Sequence, residues 1–218
     1  LILREEKKDR QYVISATGPE VNATEIGLFF QNVNQIRNMD YLIMRGSLPR
    51  VGTPNLYGQL VLAGEKKSAF IILDTDGKSL HESIAYQPTC IKPNIYELSR
   101  LAERELQTES EILGFCEQIH RRGIAHIIVS RGKAGLLLSS ADQKIKAVAP
   151  PVEVGSTVGA GDSVVGGFVL AHSRGKDLAD CMRLACAAGT ATAQTPGTEL
   201  CHRADVEAIL SRVELSNV

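Results

Sequence analysis

The chain has 218 residues, a hydrophobic share of 44% and a formal net charge of −1. That length suffices for one sizeable core with a small appendage, and the composition is that of an ordinary soluble globular protein. No basic excess points to nucleic acid, and no apolar run reaches the roughly 18 residues a membrane span needs, so neither is expected as a partner.

Residues 1–3 and 11–14 flank a charged turn and predict a β-hairpin remnant, marginal on its own. Gly18 and Pro19 break the chain. Asn22 predicts a helix N-cap with Glu25 as its capping-box partner, and Ile26, Phe29, Phe30, Val33 and Ile36 follow at helical spacing. Residues 41–44 read as a short buried strand, the Gly/Pro loop 45–50 follows, and a helix is predicted over about 55–62. The next strand is 69–73, ending at 74–77, with a helix near 79–86. A short strand at 89–91 ends at 92–97, where Asn94 caps a helix carrying Leu98 and Leu101. A helix over 109–121 leads into a continuous apolar strand, 125–129, which ends at 130–135. Residues 135–139 and 144–148 predict antiparallel strands around a turn at Asp142 and Gln143. Helices over 164–173, 178–193 and 203–210 close the chain. The middle one is rich in small residues (Ala185, Ala187, Ala188, Gly189, Ala191, Ala193), which reads as close helix packing or as a flat wall for a ligand.

Short apolar strands alternating with helices predict an α/β protein with a parallel sheet covered on both faces. Polar or glycine-bearing segments fall at the predicted strand C-termini at 45–50, 74–77, 92–97 and 130–135. Ligands of open α/β sheets bind at that edge.

The stretch 156–163 (STVGAGDS) follows a turn with Pro150 and Pro151 and precedes the apolar segment 164–171. Its glycines sit where a loop becomes a helix N-terminus. Free backbone N–H groups and the helix dipole make an anion cradle there, most naturally for phosphate. Asp162 has two readings in that place. It is a capping carboxylate, or it is a base that accepts a hydroxyl proton while the amides take up charge on a moving phosphoryl group. The stretch is not a Walker A loop, because the Lys-Ser/Thr end is missing. It comes too late in the chain for a Rossmann fingerprint, so a dinucleotide-binding reading has little support.

Among the strand-end loops, Lys92 can neutralise phosphate charge and Pro93 stiffens its loop. Asn94 and Glu97 lie three apart on one helical turn. They suit a Mg²⁺-and-water shell, or form an N-cap with an acidic first turn. Ser130 and the backbone of Arg131 and Gly132 can bind phosphate oxygens, or make a plain glycine turn; the side chains of Arg131 and Lys133 are expected to be solvated. Ser47 offers a hydroxyl at a strand end, and Arg50 either holds a substrate phosphate or lies on the surface. The five cysteines, Cys90, Cys116, Cys181, Cys186 and Cys201, are odd in number and form no C-x-x-C pair. They read as small buried hydrophobes in a reduced, cytoplasmic setting. The five histidines lack metal-ligand spacing and read as surface or packing residues.

Taken together these motifs resemble the ribokinase-like PfkB carbohydrate kinase family. The strings are GSLPR at 46–50, DTDG at 74–77, IKPNIYEL at 91–98, VSRGKAG at 129–135 and STVGAGDS at 156–163, extended by AAGTAT at 187–192 and GTELC at 197–201. They cover nearly the whole chain. Within the family they look most like the 6-phosphofructokinase isozyme 2 branch, with the 1-phosphofructokinase and tagatose-6-phosphate kinase branches close.

The resemblance implies a three-layer α/β/α fold with a mainly parallel sheet. Residues 1–15 would be the remnant of a β lid that makes a homodimer contact, and 16–218 the nucleotide-binding core. It implies ATP-dependent phosphorylation of a sugar phosphate, with Mg²⁺ as cofactor and K⁺ as a candidate second one. Asp162 matches the catalytic base, and Gly159, Ala160 and Gly161 match the anion hole. Lys92 and Asn94 match nucleotide-phosphate contacts, and Glu97 completes the motif that organises Mg²⁺. Ser130, Arg131, Gly132 and Gly135 match the nucleotide loop, Thr157 its neighbour, and Cys186 and Thr190 the adenine pocket. Ser47, Arg50 and Asp162 match the substrate side. Backbone carbonyls near Val158, Thr192, Thr195 and Gly197 match a monovalent-cation site. The family's sugar-binding di-glycine motif has no counterpart in this chain, which opens at Leu1. A fragment or processed product is therefore expected, and a non-catalytic nucleotide-binding fragment is the reading of another class. Arg45 stands where the family has a small residue, Arg131 where it has an apolar one, and Ser15 where related kinases often have Asn.

Overall fold

The computed structural model describes residues 2–5, 10–13, 18–49 and 55–218. Strands β1 (Ile2–Glu5) and β2 (Arg10–Val13) pair antiparallel, Ile2 opposite Val13, as a two-stranded sheet of their own. The other strands lie in chain order across one seven-stranded sheet: β3 (Tyr41–Arg45), β4 (Phe70–Asp74), β5 (Cys90–Ile91), β6 (His126–Ser130), β7 (Leu136–Ser139), β8 (Lys144–Val148) and β9 (Glu214–Asn217). β3 to β6 run parallel; β6 to β9 alternate in direction.

The strands' period-two alternation sorts the core into two halves. Ile71, Leu73, Ile127, Val129 and Leu137 face a cluster supplied by α1 (Ala23–Gln35), α2 (Leu56–Glu65), α3 (Gly77–Ser83), α4 (Ile95–Leu101) and α5 (Glu109–His120). Ile72, Cys90, Ile128, Leu136 and Leu138 face α6 (Ala160–His172), α7 (Leu178–Gln194) and α8 (Arg203–Leu210). The result is three layers, the ribokinase-like arrangement expected. β3 to β6 neighbour one another in sequence order, so their crossover helices all fall on one face, as a constant right-handed crossover requires. The other face is left to the helices that follow β8.

The glycines explain one difference from expectation. Helix α6 begins at Ala160 rather than at 164, so Asp162 lies inside its first turn. Glycine's poor helix propensity read as loop, yet first-turn amides need no intrahelical partner and the penalty is small there. The small residues of α7 mark close packing against α6. A methyl at Gly189 would lie 2.6 Å from Val164 Cγ2, and one at Gly167 would lie 2.8 Å from the Leu184 carbonyl. Asn22 caps α1 with a capping box, as expected. Of its apolar stripe, however, only Ile26 and Val33 are buried, and Phe29 and Ile36 are 44% and 43% exposed. β9 went unpredicted because three of its four residues are polar and exposed and only Leu215 turns to the core, an edge strand held by register with β8.

Candidate active site

Parallel pairing lines up the ends of β3, β4 and β5. Arg45 is register partner of Asp74, and Leu73 of Ile91, which sets Asp74 beside Lys92 one residue on. Three apolar strands thus end in a row of alternating charge. Lys92 Nζ lies 3.1 Å from Asp74 Oδ1, with both side chains at least nine-tenths buried. Arg45 Nε lies 3.4 Å from Asp74 Oδ2 and also contacts Asp162 Oδ1, so the chain of charge runs Lys92, Asp74, Arg45, Asp162. The turn behind Arg45 is pinned: the Gly46 carbonyl accepts from Tyr57 Oη at 2.9 Å and from Thr75 Oγ1 at 2.8 Å.

Above this row stands the N-terminus of α6. Its N-cap, Gly159, has φ +79°, a left-handed conformation, and a side chain there would run into Leu200. Gly159 caps with no side chain. Among the described residues no protein acceptor takes the amide hydrogens of Gly161 and Asp162. Lys92 Nζ sits 3.4 Å from where a Gly161 Cβ would be, so its ammonium and the open amides share one space. The turn is tied to α7 by a 2.6 Å hydrogen bond between Ser163 Oγ and Thr192 Oγ1. A carboxylate, a buried ammonium and bare amides therefore converge on a single point. That set can take a proton from a hydroxyl while holding an oxyanion.

The loops along the rest of the edge are closely built. Asn94 and Glu97 form a full capping box at the start of α4: Asn94 Oδ1 accepts from the amides of Tyr96 and Glu97, and Glu97 Oε2 accepts from Asn94 N at 2.7 Å. Burial raises the Glu97 carboxyl above the usual carboxylate range, against the lowering effect of that amide and of Lys92. Asn94 also bridges to Ser130, which joins the two loops. The 130–135 loop turns on Gly132 at φ +56° and Gly135 at φ +79°. Any Cβ on Gly135 would lie 2.1 Å from the Ala147 carbonyl oxygen. Gly135→Ala is therefore expected to destabilise the fold by about 1–3 kcal/mol or more from backbone strain alone, measured by urea unfolding.

Arg131 corrects an expectation. Its side chain is 8% exposed rather than solvated, ion-paired to Glu109 at 3.0 Å and donating to the Ala134 carbonyl. Its Nε is buried with no hydrogen-bond partner among the described residues. Lys133 is exposed, as expected. Cys186 is 3% exposed, its Sγ 3.6 Å from the Ala147 carbonyl, and burial pushes the thiol up to about 11. Thr190, half-buried one turn on, is the member of that pair nearer the surface, and Thr157 is exposed beside the α6 cap.

Of the carbonyls matched to a monovalent cation, that of Thr192 already accepts from Thr195 N at 3.1 Å and Thr195 Oγ1 at 2.7 Å, so both lone pairs are engaged. The Gly155 and Ser156 amides donate to the Ala193 carbonyl, which sets the start of the 155–158 loop against the end of α7. Among the described residues no group of three His, Cys, Asp or Glu side chains could cage a metal. A Mg²⁺ here fits only the mode in which one carboxylate, water and substrate phosphates supply the ligands. Ser47 is exposed at the β3 end. Arg50 and Ser15 lie outside the described residues. Arg45 and Asp74 were not among the sequence-derived site residues. Their signal was there: each ends an apolar strand with a charge, opposite in sign to its neighbour's.

A crevice at the C-terminal edge of a ribokinase-like sheet, with an acid at a glycine-rich helix N-terminus, defines a phosphotransferase class. The pfkB family carbohydrate kinase pattern matches residues 1–205, and the chain belongs to that family. The ATP-dependent 6-phosphofructokinase isozyme 2 of Escherichia coli is 33% identical over 94% of this chain and 67% of its own length. The 1-phosphofructokinase of Borreliella burgdorferi is 31% identical over 96% of this chain and 67% of its own. The crystal structure of the Escherichia coli phosphofructokinase-2 in complex with potassium superposes with a TM-score of 0.88 at 32% identity, over 96% of this chain and 69% of that one. These relatives establish a sugar kinase; a D-tagatose-1-phosphate kinase of Bacillus licheniformis, 30% identical over 86% of this chain and 62% of its own, stands among them.

Proposed function

We propose that the protein transfers the γ-phosphoryl group of ATP to fructose 6-phosphate, giving fructose 1,6-bisphosphate. The observation that carries this reading is the convergence of Asp162, the open amides of Gly161 and Asp162, and Lys92 at one point of the strand-end crevice. In this reading Asp162 takes the proton of the sugar's primary hydroxyl. The oxygen attacks the γ-phosphorus, the bond to ADP breaks, and Gly159, Ala160 and Gly161 hold the phosphoryl oxygens. Lys92 and Asn94 hold nucleotide phosphates, Ser130 to Gly135 wrap the nucleotide, and Thr157, Cys186 and Thr190 border it. Ser47 and Arg50 serve the acceptor.

Mg²⁺, organised through Glu97 and water, would neutralise charge on the β- and γ-phosphates. K⁺ would sit against the carbonyls of Val158, Thr195 and Gly197, with Thr192 behind them. The β1–β2 hairpin is read as a lid and dimer contact. Among the described residues no helix is long and apolar enough to cross a membrane. Free cysteines throughout fit a reducing, cytoplasmic setting.

A second reading is fructose 1-phosphate as acceptor, favoured by the relatives named 1-phosphofructokinase at comparable identity. The test is ADP release by the complete protein with MgATP and fructose 6-phosphate, fructose 1-phosphate or tagatose 6-phosphate. The highest kcat/KM is expected on fructose 6-phosphate. Preference for fructose 1-phosphate selects the second reading, and turnover on none of them removes both. Glu97→Gln keeps an acceptor for the Asn94 amide, so its Tm is expected to stay within a few degrees of the parent. The Mg²⁺ concentration for half-maximal rate should rise about tenfold or more, read from a magnesium titration.

A further inference from the structure

We propose that Arg45 is a charge latch on Asp162 that opens onto the phosphate of the acceptor, so that the carboxylate is freed for a phosphorylated substrate and stays masked for a neutral one. This rests on the sugar-phosphate reading above and adds to it a residue that selects the substrate class.

Four observations support the latch. Arg45 Nε contacts Asp162 Oδ1, so in this structure one oxygen of the acid faces a guanidinium rather than an acceptor hydroxyl. The second partner of Arg45, Asp74, has a cation of its own, Lys92, at 3.1 Å and 5% exposure. Asp74 therefore stays neutralised when Arg45 leaves. Arg45 itself is 53% exposed, while Asp74 is 10% exposed, so the arginine is the member of the network with room to move. Its backbone does not share that freedom, since the Gly46 carbonyl is fastened by Tyr57 and Thr75. The motion is left to a long side chain pivoting on a fixed base.

Position in the sheet decides which reactant it meets. Arg45 ends β3, Asp74 β4, Lys92 follows β5 and Ser130 ends β6. At the usual strand spacing, Arg45 stands roughly 14 Å from the β6 loop that takes the nucleotide, with Asp162 contacting it on the β3 side. It is on the acceptor's side of the acid. A phosphate dianion offers a guanidinium a two-pronged, doubly charged partner, stronger than the single carboxylate oxygen it gives up. A neutral sugar offers nothing to draw it off. When the latch is open, the acceptor's hydroxyl proton passes to Asp162, its oxygen bonds the γ-phosphorus and ADP departs with the bonding pair.

The test compares kcat/KM for the best of fructose 6-phosphate, fructose 1-phosphate and tagatose 6-phosphate with kcat/KM for free fructose, in the complete protein and in Arg45→Ser and Arg45→Lys. Removing a charge-assisted contact to phosphate is expected to raise KM for the phosphorylated acceptor tenfold or more. Fructose turnover should hold or rise because its base is unmasked. The ratio of the two kcat/KM values should therefore fall at least tenfold in Arg45→Ser and lie between in Arg45→Lys, which keeps the charge without the fork. A ratio within twofold of the parent's in both variants overturns the latch, including the case where both activities drop together through a merely structural role. A parent protein that turns over none of these acceptors removes the sugar-phosphate reading, and the latch with it.

Discussion

Replacing Asp162 by asparagine is expected to lower kcat by about 10²–10⁴, the share of a general base. Asparagine is isosteric and still offers an oxygen to Arg45 Nε, so what it removes is the negative charge and the basicity. The side chain is 35% exposed and lies in the first turn of α6. Losing a carboxylate there costs the helix only about 0.3–1 kcal/mol. Stability and KM for ATP should barely move while turnover collapses. Single-turnover measurements with saturating MgATP separate the chemical step from product release. A variant retaining a third or more of the parent kcat would mean that the proton leaves by another route.

The second large effect concerns Asp74. Its partner Lys92 is 4% exposed and, among the described residues, has no other carboxylate within ion-pair distance. Asp74→Asn would leave that ammonium in the core edge without a counter-charge. Breaking a buried pair on one side costs about 3–5 kcal/mol. Lys92→Met is expected to cost less, because Arg45 still faces Asp74. The double change Asp74→Leu with Lys92→Met should recover much of the loss. Urea unfolding of the four proteins checks all of this; an Asp74→Asn loss of less than about 1 kcal/mol would show that water reaches Lys92.

Much of the architecture was legible because the strands are short, apolar and separated by helices with clear signals. The capping pairs Asn22 with Glu25 and Asn94 with Glu97 appear where the residues predicted them. β8 and α8 keep their expected bounds, Lys144–Val148 and Arg203–Leu210. What was not legible depends on neighbours distant in sequence. β9 exists by pairing with β8 and carries no apolar pattern of its own. Arg131 reads as a surface charge until Glu109, 22 positions earlier, is folded against it. The turn into α6 could be placed from its glycines, and Gly159 caps it in the left-handed conformation. The arginine that grips its acid could not, because that contact joins β3 to α6 across 117 residues of chain.

The seam between α6 and α7 has a mechanical meaning. With Gly167 against the Leu184 carbonyl and Gly189 against Val164 and Ala160, the two helices touch nearly backbone to backbone, and neither can slide along the other without collision. Ser163 and Thr192 rivet the end nearest the cradle. The cradle is thus an anvil: rigid, pre-aimed and indifferent to what arrives. Whatever closing stroke the reaction requires has to be delivered from the far side of the crevice.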